Sequence, residues 1–215
     1  MTRFLILLLL LLLCLPAVVL ADPGGYYLGG QLALSAMDDV EAVGPNGPFN
    51  LLPDPGVAAS LLIGYDFADS NPRLAKGRVE LELTSRRNAL DTVEFANGEF
   101  AADGDLVAQS ALINFFYESR GMQPLLVYYG VGLGWAQVAL EDAAVSGAEL
   151  ADDSDEVFAY QVGLGLGYQL TSNLTLDAGY RYFATQDPEL KDSRGRDLSV
   201  EYQNHTILFG ARYMF

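Results

Sequence analysis

The chain has 215 residues, 51% of them hydrophobic, and carries 28 Asp and Glu against 12 Lys and Arg for a formal charge of −16. That length is one domain's worth. Acidity on this scale argues against a nucleic-acid partner, and the apolar content with positive mean hydropathy argues against a disordered acidic chain.

Met1 to Ala21 has the layout of a cleaved secretory signal peptide: Arg3 near the start, a Leu-rich run from Leu5 to Leu13, a breaker at Pro16 and the small-residue cleavage site Val19-Leu20-Ala21. A helical anchor fits less well, because Pro16 interrupts a stretch already at the short edge for a span. A lipoprotein signal would use Cys14, but Leu13 is large where such signals want a small residue. Removing residues 1–21 takes away Arg3 alone among charges, so 194 residues remain with a charge of −17 and no cysteine. A thiol-free chain suits an oxidising envelope compartment. Beyond residue 21 no run of 18 apolar residues occurs, which excludes helical spans.

The rest of the hydrophobicity is spread in alternating form, and a strand sends successive side chains to opposite faces. Gly25 to Met37 sets Tyr26, Leu28, Leu32 and Leu34 on one face. Val57 to Phe67 follows with Ala59, Leu61, Ile63, Tyr65 and Phe67, and Gly77 to Arg87 opposes Val79, Leu81 and Leu83 to Arg78, Glu80, Glu82, Thr84 and Arg86. Asp105 to Glu118 sets Ala111, Ile113, Phe115 and Tyr117 against Ser110 and Asn114. Leu125 to Ala136 sets Leu125, Val127, Tyr129, Val131, Leu133 and Trp135 against Tyr128, Gly130, Gly132 and Gly134. Phe158 to Leu170 opposes Tyr160, Val162, Leu164, Leu166 and Tyr168 to Gln161, Gly163, Gly165 and Gly167. Leu174 to Tyr182 opposes Leu176, Ala178 and Tyr180 to Thr175, Asp177, Gly179 and Arg181. The last strand, Leu198 to Phe215, has Ile207, Phe209, Ala211, Tyr213 and Phe215 against Thr206, Gly210 and Arg212, with Leu208 and Met214 out of pattern.

Aromatics cluster near the ends of the apolar faces, as interfacial girdles do around a lipid band. The other face is glycine, small residues and charge, whereas a soluble barrel keeps its large apolar groups inside. The connections alternate: long ones at Asp38 to Gly56, Asn88 to Gly104, Glu141 to Asp155 and Gln186 to Asp197, shorter ones at Ala68 to Lys76, Ser119 to Gln123 and Thr171 to Asn173. Long extracellular loops and short periplasmic turns are the outer-membrane pattern. The expectation is all-β: an eight-stranded antiparallel up-and-down transmembrane β-barrel over residues 22–215, after a signal peptide over 1–21, with both termini periplasmic.

Four stretches, Arg78-Val79-Glu80-Leu81-Glu82-Leu83, Gly130-Val131-Gly132-Leu133-Gly134, Leu174 to Phe183 and His205 to Phe215, resemble the opacity-protein and OmpA/OmpX-like family of small outer-membrane barrels. The resemblance covers about Asp22 to Phe215. It implies insertion by the outer-membrane assembly machinery after escort by periplasmic chaperones, with Tyr213 and the terminal Phe215 as the assembly signal. It implies no peptidoglycan-binding domain here and no particular biochemical activity.

The charges on the polar face are the candidate site. Arg78, Glu80, Glu82 and Arg86 on the third strand, Asp177 and Arg181 on the seventh and Arg212 on the eighth would all point into a lumen only wide enough to be filled by side chains. Buried charges are usually paired, so these residues are expected to form a structural plug, with Glu80 and Glu82 reaching Arg181 or Arg212. A gate or proton path is the functional alternative. His205, the only histidine, lies on the Ile207/Phe209 face. A lipid-modifying hydrolase would need a nucleophile within its reach, yet Ile207 stands where a serine would serve. The acidic groups Glu149, Asp152, Asp153, Asp155 and Glu156, and Asp187, Glu189, Asp192 and Asp197, hold oxygen ligands at a density that suits calcium or magnesium, or they are a solvated surface bridged by divalent ions to lipopolysaccharide. The alternating glycines precede no helix, so they are lumen spacing and not a phosphate cradle.

The sequence therefore points to a monomeric outer-membrane barrel of a Gram-negative envelope with a structural or surface-interaction role. It would sit in outer-membrane lipid and lipopolysaccharide, with no cofactor, metal or catalytic residue. A narrow porin-like channel is the alternative function, and a lipid A-modifying enzyme the third.

Overall fold

The computed structural model describes residues 25–68, 74 and 76–215; the signal-peptide assignment of 1–21 lies outside the described residues. Every regular element among them is a strand. In chain order these are β1 (Tyr26–Ala36), β2 (Val40–Gly44), β3 (Gly47–Pro53), β4 (Gly56–Asp66), β5 (Gly77–Phe95), β6 (Gly98–Met122), β7 (Leu125–Val145), β8 (Ala148–Gln169), β9 (Leu174–Thr185), β10 (Glu189–Lys191), β11 (Asp197–Val200) and β12 (Gln203–Met214).

Eight of them close a ring. β1 pairs with β4 and β12, and the antiparallel ladder runs on through β5, β6, β7, β8 and β9 back to β12. Tyr27 pairs with Met214, so both described ends of the chain meet at one rim. The period-2 pattern fixes which face looks inward, because a one-residue slip in register would turn every side chain over. The outward face of this half is an apolar belt: Leu32 is 71%, Trp135 68% and Phe209 63% exposed. A contiguous belt of that kind is not tolerated in water and fits a lipid surround.

β1, β4, β9 and β12 have 11 or 12 residues, close to the roughly 9–11 that a tilted strand needs to cross a bilayer. β5 to β8 have 19, 25, 21 and 22. Their surplus rises past the belt as a head. β3 lies on the upper part of β5, β2 on β3 and β11 on β2, while β10 pairs with β11. The head's interior is a continuous apolar core that includes Leu51, Leu90, Val93, Leu106, Val138, Leu140, Leu190, Leu198 and Tyr202. The barrel thus inverts along its axis: polar inside and apolar outside at the belt, apolar inside and polar outside in the head.

The head corrects the expected loops. Asn88 to Gly104 and Glu141 to Asp155 are not long connections; strands run through both, and the turns are only Ala96-Asn97 and Ser146-Gly147. Ser146 and Gly147 both have positive φ, 51° and 80°, as a two-residue hairpin turn of the twist-compatible kind requires. Gly104, with φ +112°, sits at a register shift between β6 and β7 so tight that a Cβ there would lie 2.7 Å from the Asp142 carbonyl. Asp38 to Gly56 is mostly the β2–β3 hairpin, and Gln186 to Asp197 contains β10.

Candidate functional site

The belt's lumen is packed with charge. Arg78, Glu80, Glu82, Arg86, Asp177, Arg181 and Arg212 are each at most 6% exposed and lie on inward positions of β5, β9 and β12. Glu118, at the lower end of β6, joins them and is 2% exposed. Nearest the rim, Arg212 grips Asp177 with Nε at 2.7 Å and Nη2 at 3.0 Å, and its Nη2 also donates to Glu118 at 3.0 Å. Glu118 reaches Arg78 Nε at 3.5 Å and Arg120 Nη2 at 3.4 Å, and Arg120 in turn pairs with Asp66. Arg78 Nη1 lies 2.6 Å from Glu80, and the Tyr27 hydroxyl donates to the same carboxylate at 2.8 Å.

One layer higher, Glu82 accepts from Thr84 at 3.0 Å, Asn114 at 3.0 Å and Gln161 at 3.1 Å, with Arg86 Nη2 at 3.8 Å. Arg86 donates to Ser110 at 2.9 Å and lies over the Phe183 ring at 4.1 Å. Above this a neutral ring closes the top: Asn204 donates to Ser35, Ser35 to Asn88 and Thr206 to Asn204 at 2.7 to 2.8 Å. The apolar core of the head begins there.

The expected cross-lumen pairs are therefore corrected. Glu80 and Glu82 meet neither Arg181 nor Arg212; Glu80 pairs with Arg78, two residues away on its own strand, and Glu82 with Arg86. Side chains two apart on one face of a strand are already neighbours, and Arg86, four residues from Glu82 on the same face, spans the longer gap with its extended side chain, so neither contact needs a crossing. The carboxylate that does cross to Arg212 is Glu118. Among the described residues, Arg181 has no carboxylate within 4 Å and its Nε and Nη2 have no hydrogen-bond partner; its guanidinium lies over the rings of Phe116 and Tyr128, at 4.7 and 5.5 Å. Room for it comes from Gly163, where a Cβ would meet the Arg181 Cδ at 2.5 Å.

His205 faces outward near the upper end of the belt, with Nδ1 2.6 Å from the Tyr180 hydroxyl and Nε2 3.6 Å from Asp38. Sequence reading missed Tyr180 as its partner, although the two belong to adjacent paired strands. Tyr213 and Phe215 are outward and edge-on to each other at 5.5 Å, 50% and 40% exposed.

The second feature is the head's surface. Over 37–56, 87–107, 137–157 and 185–204 stand 21 Asp and Glu against Arg87, Lys191, Arg194 and Arg196, a difference of −17. The other seven carboxylates and eight bases leave +1, so the head holds essentially all of the net charge. Two of its carboxylates serve the fold: Asp155 accepts from the Glu189 N–H at 2.9 Å and Asp153 from the Lys191 N–H at 2.7 Å. At the tip of the β10–β11 hairpin the Arg196 N–H, the Arg196 guanidinium and the Arg194 N–H hold the Asp192 carboxyl below the usual carboxylate range.

A closed eight-stranded ring with an apolar belt, a lumen stopped by ion pairs and a dense charged cap define a small outer-membrane β-barrel. The sequence matches the family described as the outer membrane protein beta-barrel domain over residues 5–215, and the chain belongs to that family of outer-membrane proteins. It is 27% identical over 180 residues to the outer membrane protein PagN of Salmonella typhimurium, spanning 74% of this chain and 73% of that one. Among solved structures it is similar to OprG of Pseudomonas aeruginosa (TM-score 0.58, 17% identity, 90% of this chain and 98% of that one) and to Neisserial surface protein A (TM-score 0.55, 20% identity, 89% and 98%). These two likenesses concern the fold.

Proposed function

We propose that this protein works at its outer surface: the belt anchors a closed barrel in the outer membrane, and the head presents a rigid acidic wall to a cationic partner. The reading rests on one observation, that the net charge of the chain is concentrated on a head whose interior is filled by packed side chains. A filled head over an ion-paired lumen favours a contact role over a conducting one. Electrostatic complementarity of this kind raises the on-rate and is screened by salt. Binding of cells or reconstituted barrel to a polycation-coated surface should therefore fall steeply between 50 and 300 mM salt (about a sixfold range that spans Debye lengths of roughly 14 to 6 Å). Changing Asp91, Glu94, Glu99 and Asp103 to Asn or Gln should weaken it. Binding that ignores both salt and these changes would refute the proposal.

The same reading puts the head outside the cell and both termini in the periplasm, with the belt in outer-membrane lipid beneath lipopolysaccharide. It takes the protein as a monomer without a catalytic step. Tyr213 and Phe215, adjacent at the chain's end, serve as the signal read by the chaperones and assembly machinery. Phe215→Ala should lower the amount assembled in cells more than it lowers the stability of folded barrel; a normal outer-membrane level would count against that role.

A further inference from the structure

The outer wall of β6, β7 and β8 carries a groove where the apolar belt gives way to the head. Its volume is about 250 Å³. The ladder shows how the sequence builds it. Ala139 is the floor, between its registered partners Val107 on β6 and Ser154 on β8. One step lower on the same outward face stand the paired Gln109 and Gln137, and one step higher on β7 and β8 stand Glu141 and Asp152. Residues two apart on a strand share a face, so a small side chain between longer ones leaves a hollow. Beneath, the registered pair Trp135 and Phe158 forms the top edge of the belt, with Trp135 68% exposed.

The polar groups of the groove are largely unspent. Among the described residues the Gln109 amide and the Asp152 carboxylate have no hydrogen-bond or ion-pair partner. Gln137 uses only its Nε2, which donates to Ser154 Oγ at 3.3 Å, so its own oxygen and the Ser154 proton are left over. Glu141 gives one oxygen to Arg87 and keeps the other. These side chains project from the face of the wall, away from the β8 edge that β10 covers. Around the groove Asp105, Glu141, Asp152 and Glu156 stand against one guanidinium, Arg87, itself held by Asp105 and Glu141. That balance repels anionic ligands and favours an ammonium group.

Two amides side by side, a hydroxyl and a carboxylate, all on rigid strands, match the donors and acceptors of adjacent sugar hydroxyls. An exposed indole beneath them offers its apolar face to the C–H face of a pyranose. A rigid ring also gives up less rotamer freedom on binding than a lysine side chain does. We infer that this groove is a binding site for an amino sugar with a free ammonium group, carried by an external polysaccharide. One ring sits over Ala139, with its hydroxyls on Gln109, Gln137 and Ser154 and its ammonium on Asp152. The inference rests on the acidic head as a contact surface for a cationic partner and goes further by naming the partner's chemistry and its place.

The test measures binding of the glucosamine trimer to the full barrel in nanodiscs at about pH 6, where its amines are protonated and carboxylates ionised. The N-acetylated trimer keeps the rings and loses the charge; a capped trilysine keeps the charge and loses the rings. Both should bind at least tenfold more weakly than the glucosamine trimer. Ala139→Phe fills the floor and should weaken the trimer at least tenfold. Gln109→Leu with Gln137→Leu, which changes no charge, should weaken it severalfold. Both variants should bind a polylysine-coated surface as the wild type does. Equal binding of the N-acetylated trimer would overturn the amino-sugar assignment. Equal binding of trilysine, or trimer binding unchanged in either variant, would overturn the groove while leaving the acidic head as a contact surface. Displacement of the trimer by a glucosamine-headed lipid doped into the nanodisc would place the sugar in the membrane and overturn the external partner. No binding of trimer or polylysine at low salt would overturn both readings.

Discussion

Glu82 is the carboxylate on which the middle of the lumen depends. It is 2% exposed and accepts from Thr84, Asn114 and Gln161, while supplying the sole carboxylate within 4 Å of Arg86 among the described residues. At 3.8 Å and an effective dielectric near 20 the Arg86 attraction amounts to about 4 kcal/mol before desolvation. Removing one member of such a pair leaves the other buried and uncompensated, at about 3–5 kcal/mol. Glu82→Ala should fall at the upper end, because Asn114 and Gln161 lose an acceptor as well. Glu82→Gln keeps an acceptor oxygen and the volume and should cost about half as much, since hydrogen bonds to a charged group are roughly twice as strong as neutral ones. Glu118→Ala should cost less than Glu82→Ala, because Arg212 retains Asp177 and Arg78 retains Glu80. The assay is reversible urea unfolding from lipid vesicles, read by the single tryptophan, Trp135, which faces lipid at 68% exposure. A Glu82→Ala loss below about 1 kcal/mol, or equal losses for Ala and Gln, would refute the argument.

Other outcomes follow from the same geometry. Arg181→Met should be neutral or stabilising, since among the described residues that cation has no carboxylate to abandon and it lies close enough to Arg86 to repel it, whereas Arg212→Met should cost about 3–5 kcal/mol by stranding Asp177, Glu118 keeping Arg78 and Arg120; the reverse order in the unfolding assay would contradict the lumen map. Leu164→Arg, on the lipid side of β8, should destabilise by about 2–4 kcal/mol, and a neutral result would deny the belt. Burial pushes the Tyr202 hydroxyl up to about 12 within the head's core. A group whose folded value is raised contributes stability below its unfolded value, so that contribution should decline from about pH 10 to about pH 12. Tyr202→Phe should flatten that decline in alkaline unfolding; an unchanged profile would rule Tyr202 out as its source.

The ring was legible in the sequence because lipid outside and a polar lumen inside impose strict alternation. Leu125 to Trp135 and Tyr160 to Tyr168 lie outward along their alternate positions, and the odd Leu208 proves to be inward and 3% exposed. The head was illegible for a specific reason. Register shifts at Ala89/Thr92, Asp103/Asp105 and Leu140/Ala143 each break the period-2 pattern, and bulges of this kind make a strand read as loop. Its outward positions are also Asp and Glu, which mimic solvated loop. The charged side chains could be assigned to a face from the pattern, but their partners could not. Which residues meet across a lumen depends on strand stagger and tilt, and Glu118, at the end of its apolar run, gave no sign that it would bridge Arg78, Arg120 and Arg212.

The central claim is that the barrel is shut, by ion pairs within the belt and by packed apolar side chains within the head. Ion conductance of the purified, folded protein in planar bilayers tests it most directly. The account predicts no steady channel events from the wild-type barrel across either polarity. Sustained, reproducible openings of the wild-type protein would contradict it and return the lumen to a conducting role.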